Sequence, residues 1–485
     1  MVSPPTGPVT ATGGAPMGVT TGGQQSVIAS YSMQNKSVNF THIVYDRNSS
    51  LIYIGASNWV YQFSANLTLE VAVQTGPVRD SPSCSPNDCN GVEESIPFVN
   101  NINKVLVIDP YNHMLIACGS VRQGSCQRHR LSDIAQTEDL ITVPVASNDE
   151  NSSTIALVGP AKYFGPNSTP VLYVAATNSR LGPYRDMVPA ISSRSLETGP
   201  RLFHIIERSF SDTARVDISS HLRDYYLVRY VYAFHSSDFV YFVTVQRKSH
   251  LRALEEWGYV TRLARVCQSD PGYNTYTEVT LQCFGADGTD YTLLQDAVVV
   301  SAGEDLANDL HIEVGDKAFI GVFATGVEHT SNPSSRSAVC VYSLADIEQK
   351  FTQNIHMCYN GSVATRNMDY IAGNLPDCPT PGRGGNIVSF CAETLKLNGS
   401  QPIQSTAAVV YENSTLTAVV ALTTGQHTVA FVGTRAGLLK KLLISRSDLA
   451  EEFEEVAVDL GNPILSDILI DKTGQYIFVS SPYKV

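Results

Sequence analysis

The chain has 485 residues, 46 of them acidic and 33 basic, for a formal charge of −13. An acidic surface with no Lys/Arg-rich run argues against nucleic acid and anionic membrane surfaces as partners. No stretch approaches the roughly 18 to 20 apolar residues that span a bilayer, so the chain is expected to be soluble as written.

Residues 1–30, rich in Gly, Pro and Thr, carry too little apolar surface to offset the entropy of ordering them and are expected to form a disordered leader. The first 25 residues also lack the apolar core of a signal peptide, so a secretory leader is expected to have been removed or never included. From Val38 onward short β-rich runs alternate with turns. Residues 43–45 are apolar, 46–50 supply turn chemistry, and 51–56 and 60–63 follow as strands. The same grammar returns at 105–108 and 114–119 around a turn at 109–113, and again at 230–234 and 239–245 around 235–238, with 259–266 after an insertion. Strands at 171–176, 297–301 and 317–323 fill the middle. Residues 417–422 and 428–433 flank Thr424-Gly425-Gln426, and 464–470 precedes Thr473-Gly474-Gln475, a blade-sized step later. Six or seven such units argue for a β-propeller, in which each small sheet buries its faces against its neighbours. The best helix signal starts at Ser343, with Asp346 three residues on and Leu344, Ile347 and Phe351 on one face, and reads as an ornament on a blade.

Nine Asn-x-Ser/Thr sequons, at Asn35, Asn39, Asn48, Asn66, Asn151, Asn167, Asn360, Asn398 and Asn413, point to a secreted glycoprotein. Ten cysteines, an even number, suit full pairing in an oxidising compartment. No C-x-x-C spacing and no helical histidine pair is present, so neither a metal nor a cofactor is expected. Counting alone leaves the pairing of ten cysteines at about 945 possibilities.

The chain resembles the sema domain of plexins, the cell-surface receptors for semaphorins. The residues that carry the likeness are Asn66-Leu67-Thr68-Leu69 with Thr75-Gly76-Pro77-Val78, Ala117-Cys118-Gly119-Ser120 with Gln123-Gly124 and Cys126-Gln127, Ser192-Ser193-Arg194, Tyr230-Val231-Tyr232 with Phe239-Val240-Tyr241-Phe242, and Cys358-Tyr359-Asn360-Gly361. Gly433-Thr434-Arg435 with Gly437, then Pro463-Ile464-Leu465, look most like plexin class A. The resemblance implies an all-β, seven-bladed propeller over 36–485 with short helical insertions. It also implies the pairs Cys84–Cys89, Cys118–Cys126, Cys267–Cys391, Cys283–Cys340 and Cys358–Cys378, the first of which is closely spaced for the family. Ending at Val485, the chain lacks the cysteine-rich module, transmembrane helix and GTPase-activating region expected of a plexin. It therefore reads as a receptor ectodomain fragment, at the extracellular side of the plasma membrane in the whole protein.

Catalysis finds little support. There is no G-x-S-x-G elbow, no H-E-x-x-H helix and no phosphate-binding glycine loop, and Gly382-Arg383-Gly384-Gly385 reads as a flexible connection. Glu255-Glu256 and the group Glu451, Glu452, Glu454 and Glu455 could in principle serve a glycosidase as paired carboxylates, and read better as solvated faces. Asp287 and Asp290 lack a calcium-loop ladder and read as a turn, and His427 as a strand-end hydrogen-bonding residue. The expected activity is protein binding, through aromatic or arginine anchors on loops. Phe210, and Pro381, Gly382 and Arg383 in the loop 379–386, are the candidate anchors for a semaphorin; self-association or a co-receptor are further possible partners. A semaphorin ligand or a related receptor tyrosine kinase ectodomain would share the fold, and a secreted glycosidase propeller is the remote alternative.

Overall fold

In Ile52–Ala56 all five residues are buried, and in Phe239–Arg247 all but the two ends are, so these strands need cover on both faces. Neighbouring sheets supply it. The structure, a computed structural model, describes residues 27–485 apart from 34–36, 93–94, 166, 210–211, 374, 385–386 and 388.

The first blade is a four-stranded antiparallel meander of Phe40–Tyr45, Ile52–Ala56, Trp59–Phe63 and Leu69–Gln74. The second runs from Asn103–Asp109 to Asp133–Thr137 and the third from Thr154–Ala161 to Arg215–Val216. The fourth comprises Arg229–Ser236, Phe239–Arg247, Tyr259–Cys267 and Thr277–Phe284, and the fifth starts with Leu293–Ser301, Lys317–Gly326 and Pro333–Ser343. The sixth runs from Leu416–Thr423 to Leu449–Ala457, and the hairpin Leu469–Ile470 with Ile477–Phe478 begins the seventh. First strands of successive blades lie side by side around the axis.

A separate apolar core lies between each pair of neighbours. Tyr53 and Val60 of blade one meet Leu106 and Leu115 of blade two, and Ile116 meets Leu172 and Val174 of blade three. Blades four and five share Tyr241, Phe319 and Phe323, and Ala418 of blade six packs on Ile464 and Ile468 of blade seven. The ring closes through both ends of the described chain. Tyr31 N donates to Val485 O and Met33 N to Tyr483 O, each at 2.8 Å, and Met33, Phe40 and Tyr61 share a core with Phe478 and Val485. The protein is thus a seven-bladed β-propeller, in which stacking replaces a single central core.

One strand departs from the meander. In Leu397–Tyr411 the first residues pair in parallel with Thr277–Phe284, and the last pair antiparallel with Pro333–Ser343. Blades four and five thereby form one eight-stranded sheet, and the outer edge of blade four is covered. The 53-odd residues before it begin with the helix Leu344–Tyr359, where Ser343 accepts from Asp346 N and Leu344, Ile347 and Phe351 are buried, in line with the sequence signal. Gly399 allows the helix to dock on the crossing strand: a Cβ there would lie 2.5 Å from the Asn354 amide. The Asn354 side chain behaves as a backbone unit, donating to Gln401 O and accepting from Gln401 N, both at 2.9 Å.

The structure pairs Cys84 with Cys89, Cys118 with Cys126, Cys267 with Cys391, Cys283 with Cys340 and Cys358 with Cys378. Three of the five anchor the region around the crossing strand. The run 464–470 is strand only at Leu469–Ile470, because Ile464 turns inward onto Gly433 and Asp467 turns to His42, 2.8 Å away. Most of the expected leader falls in 1–26, outside the described residues.

Candidate functional site

Antiparallel order puts the loops after the first and third strands of every blade on one face of the disc, and the remaining loops on the other. The two segments carrying the candidate anchors both follow a third strand: 196–214 in blade three and 344–396 in blade five. They emerge on the same face, with the shorter loop 268–276 of blade four between them.

Phe210 itself lies outside the described residues. Its stem is defined: Glu207 and Thr213 form an antiparallel bridge, and Arg208 N donates to Asp212 O at 2.9 Å. Pro381, Gly382 and Arg383 are all exposed, in a turn closed by Arg383 N donating to Thr380 O at 3.0 Å. The turn is seated on Gly361, whose φ is 80° and whose Cβ, if present, would meet Pro381 N at 2.6 Å. The structure therefore brings the two segments to one face, with Pro381 packed on its helix end and the Arg383 side chain turned outward.

The 344–396 insertion is fixed by contacts the sequence did not announce. Its residues 370–372 pair with the approach to blade four: Ser219 N donates to Tyr370 O and Ala372 N to Asp217 O, each at 2.8 Å. Tyr370 then points into a buried polar cluster. The Glu278 carboxylate accepts from Tyr276 Oη at 2.5 Å, from Tyr370 Oη, and from Gln246 Nε2 and Arg262 Nη1 at 3.3 Å each. Arg262 Nη1 also donates to Tyr370 Oη at 2.9 Å. Burial, then the Glu278 charge, holds the Tyr276 and Tyr370 phenols far above the ordinary tyrosine range. A second clamp places Arg265 between Phe239 and Phe351, 4.0 and 4.5 Å from the ring centres, with Glu348 at 2.5 Å. Between hairpin and insertion remains a polar pocket of about 210 Å³ lined by Thr213, Asp217, Tyr276 and Lys396.

The carboxylates a hydrolase would need lie elsewhere. Glu452 and Glu455, on the outer strand of blade six, bond Lys440 on the strand before it, Glu454 faces Lys441 at 3.8 Å, and Glu255 pairs with Arg247 at 3.0 Å. None of them lines an inner strand. Asp287 closes a turn through Thr289 N at 3.0 Å, and His427 bonds Asp305 at 2.8 Å. Among the described residues the single grouping of three metal-type donors is Asp80 with Cys84 and Cys89, whose sulfurs are joined to each other. Of the sequons, Asn39, Asn48, Asn66, Asn151, Asn167, Asn360 and Asn413 are exposed. Asn398 is half-buried with its Oδ1 enclosed, and Asn35 is outside the described residues.

A sema-domain family model matches residues 294–471. Plexin A3 of Danio rerio is 28% identical over 486 residues, and plexin-A2 of Homo sapiens 27% over 484, each covering 94% of this chain. The chain spans about a quarter of their length, 25% in both. A solved plexin A4 full extracellular region superposes with a TM-score of 0.82 at 26% identity, over 94% of this chain and 46% of that one. A chain of the solved complex of Drosophila plexin A with semaphorin 1b shares the fold at 15% identity, with a TM-score of 0.56 over 95% of this chain and 86% of that one.

Proposed function

We propose that this chain is a sema domain of the plexin type and the ligand-recognising head of a cell-surface receptor for semaphorins. The observation that carries the reading is agreement of sequence and fold with plexins over 94% of the chain. The face described above supports it. The paired stem Glu207 and Thr213 and the turn 380–383 sit on a scaffold stapled by disulfides and buried polar clusters, which lowers the ordering cost of binding at that face. Recognition is then protein–protein contact through Phe210 and Arg383 as anchors, with Pro381 and Gly382 shaping the turn. In the whole receptor, semaphorin binding shifts the assembly between states, and the continuation of the chain crosses the plasma membrane to a GTPase-activating region. The exposed sequons carry glycans, consistent with an extracellular location.

The test is surface plasmon resonance of the secreted domain against a panel of semaphorin ectodomains. At least one semaphorin binds, and Phe210→Arg or Arg383→Glu weakens it. Silence across the whole panel rejects the receptor reading. Undiminished affinity in both variants rejects the anchors and leaves the receptor reading in place.

A further inference from the structure

The polar pocket of about 210 Å³ lies between the two anchor elements. Thr213, which closes the stem beneath Phe210, forms one wall, and Ile371 and Ala372, from the insertion that carries Arg383, form another. A protein that touches both anchors spans the pocket as well. Its volume falls below the range of about 300–1,000 Å³ that small-molecule sites occupy, and suits a single side chain.

Lys396 supplies an unused cation on this lining. It is half-buried, its Nζ stays open to solvent, and that ammonium makes no hydrogen bond or ion pair among the described residues. Two carboxylates stand near it, and each is committed elsewhere. Asp217 pairs with Arg215 at 3.0 Å and faces Arg223 at 3.9 Å. Asp270 accepts from Gly272 N at 3.0 Å and from Thr275 N and Oγ1 at 2.7 and 2.8 Å. Burial lowers the Lys396 ammonium, and Asp270 and Asp217 offset only part of that. The charged side chains on the lining are Arg215, Asp217 and Lys396, an excess of one positive charge on a chain of formal charge −13. The Thr213 hydroxyl is a further donor with no partner among the described residues. The backbone holds the lysine in place: Leu395 N and Lys396 N donate to Asn274 O at 2.8 and 3.3 Å, and φ at Lys396 is 34°, in the left-handed region that lysine seldom adopts. A partly desolvated ammonium without a counter-charge favours an entering anion.

Resting on the receptor reading above, we propose that this pocket receives the carboxylate side chain of an Asp or Glu on the bound protein, with Lys396 as its counter-ion and Thr213 as a hydrogen-bond donor.

The test takes a semaphorin that binds the unaltered domain in surface plasmon resonance. Lys396→Gly removes the ammonium at a φ that glycine adopts freely, so the variant is expected to be secreted. It binds that semaphorin about tenfold or more weakly, as expected when a hydrogen bond between charged groups is lost. Lys396→Met, which keeps most of the side-chain stem, shows the same loss, and it decides should Lys396→Gly not be secreted. Acid-to-amide changes on the semaphorin then single out one Asp or Glu whose loss weakens binding to the unaltered domain and has no further effect on the Lys396 variants. Affinity of the Lys396 variants within about twofold of the unaltered domain, or the absence of any such acid, overturns the proposal and leaves the receptor reading in place. Silence of every semaphorin toward the unaltered domain rejects the receptor reading, and the pocket's role with it.

Discussion

Replacing Glu278 by Gln keeps the shape of the buried cluster and removes its only negative charge. Arg262, which is buried beside it at 3.3 Å, is left without a counter-charge, and Tyr276 and Tyr370 lose an ionic acceptor. Breaking a buried pair from one side costs about 3–5 kcal/mol. Tyr370→Phe removes one hydroxyl that serves both charges, which costs about 1.5–3 kcal/mol. Removing both ions together, as Arg262→Met with Glu278→Leu, destabilises by clearly less than the sum of the single changes, with a coupling of about 2 kcal/mol. Denaturant unfolding followed through Trp59 in blade one and Trp257 beside blade four measures each corner of the cycle. Hydrogen exchange across 362–396 supplies a local readout, since Tyr370 is the insertion's entry into the cluster. A cost below about 1 kcal/mol for Glu278→Gln, or strictly additive single changes, would refute the view that this cluster seats the insertion.

In the chain-entropy model the Cys267–Cys391 bond, with a sequence separation of 124, contributes on the order of 4 to 5 kcal/mol, whereas Cys118–Cys126 closes a separation of 8. Cys391→Ser is therefore expected to depress secretion far more than Cys126→Ser, measured by immunoblot of culture medium; equal yields would contradict it. Gly399→Val is expected to cost about 1–3 kcal/mol by driving the Asn354 amide off Gln401, checked by the unfolding midpoint. Lys104 donates to the carbonyls of Asp149, Glu150 and Ser152, and burial lowers its ammonium to about 8 from 10.5. Between these values the unfolded chain keeps a proton that the folded one has released, so stability relative to Lys104→Met rises with pH through that window and is lost as pH falls through 8. Paired melts at pH 7 and about 9.5 test the sign.

The meander strands were legible because runs such as 52–56 and 239–245 are apolar, β-branched or aromatic and end in turn residues. The crossing strand Leu397–Tyr411 was not, since Asn398, Gly399, Ser400 and Gln401 read as a loop; its pairing with Thr277–Phe284 is settled by tertiary contact with Asn354. The outer strand Leu449–Ala457 was hidden in the same way, its glutamates reading as a polar segment until Lys440 and Lys441 are placed opposite them. For the site, sequence singled out an aromatic among polar neighbours at Phe210 and a Gly- and Pro-rich loop at 379–386. It carried no sign that Tyr370, Arg262 and Glu278, far apart along the chain, converge to hold that loop.

The crossing strand also sets a schedule. Blade four emerges from the ribosome with the backbone groups of Thr277–Phe284 open along one side, and the residues that cover them, up to Thr406, are translated later. At roughly 5–20 residues per second the delay is on the order of ten seconds. Throughout that interval the nascent domain presents a bare β-edge in a crowded lumen, and Cys267 waits for Cys391 in the same window. Biogenesis, more than the finished molecule, is where this topology demands chaperone cover.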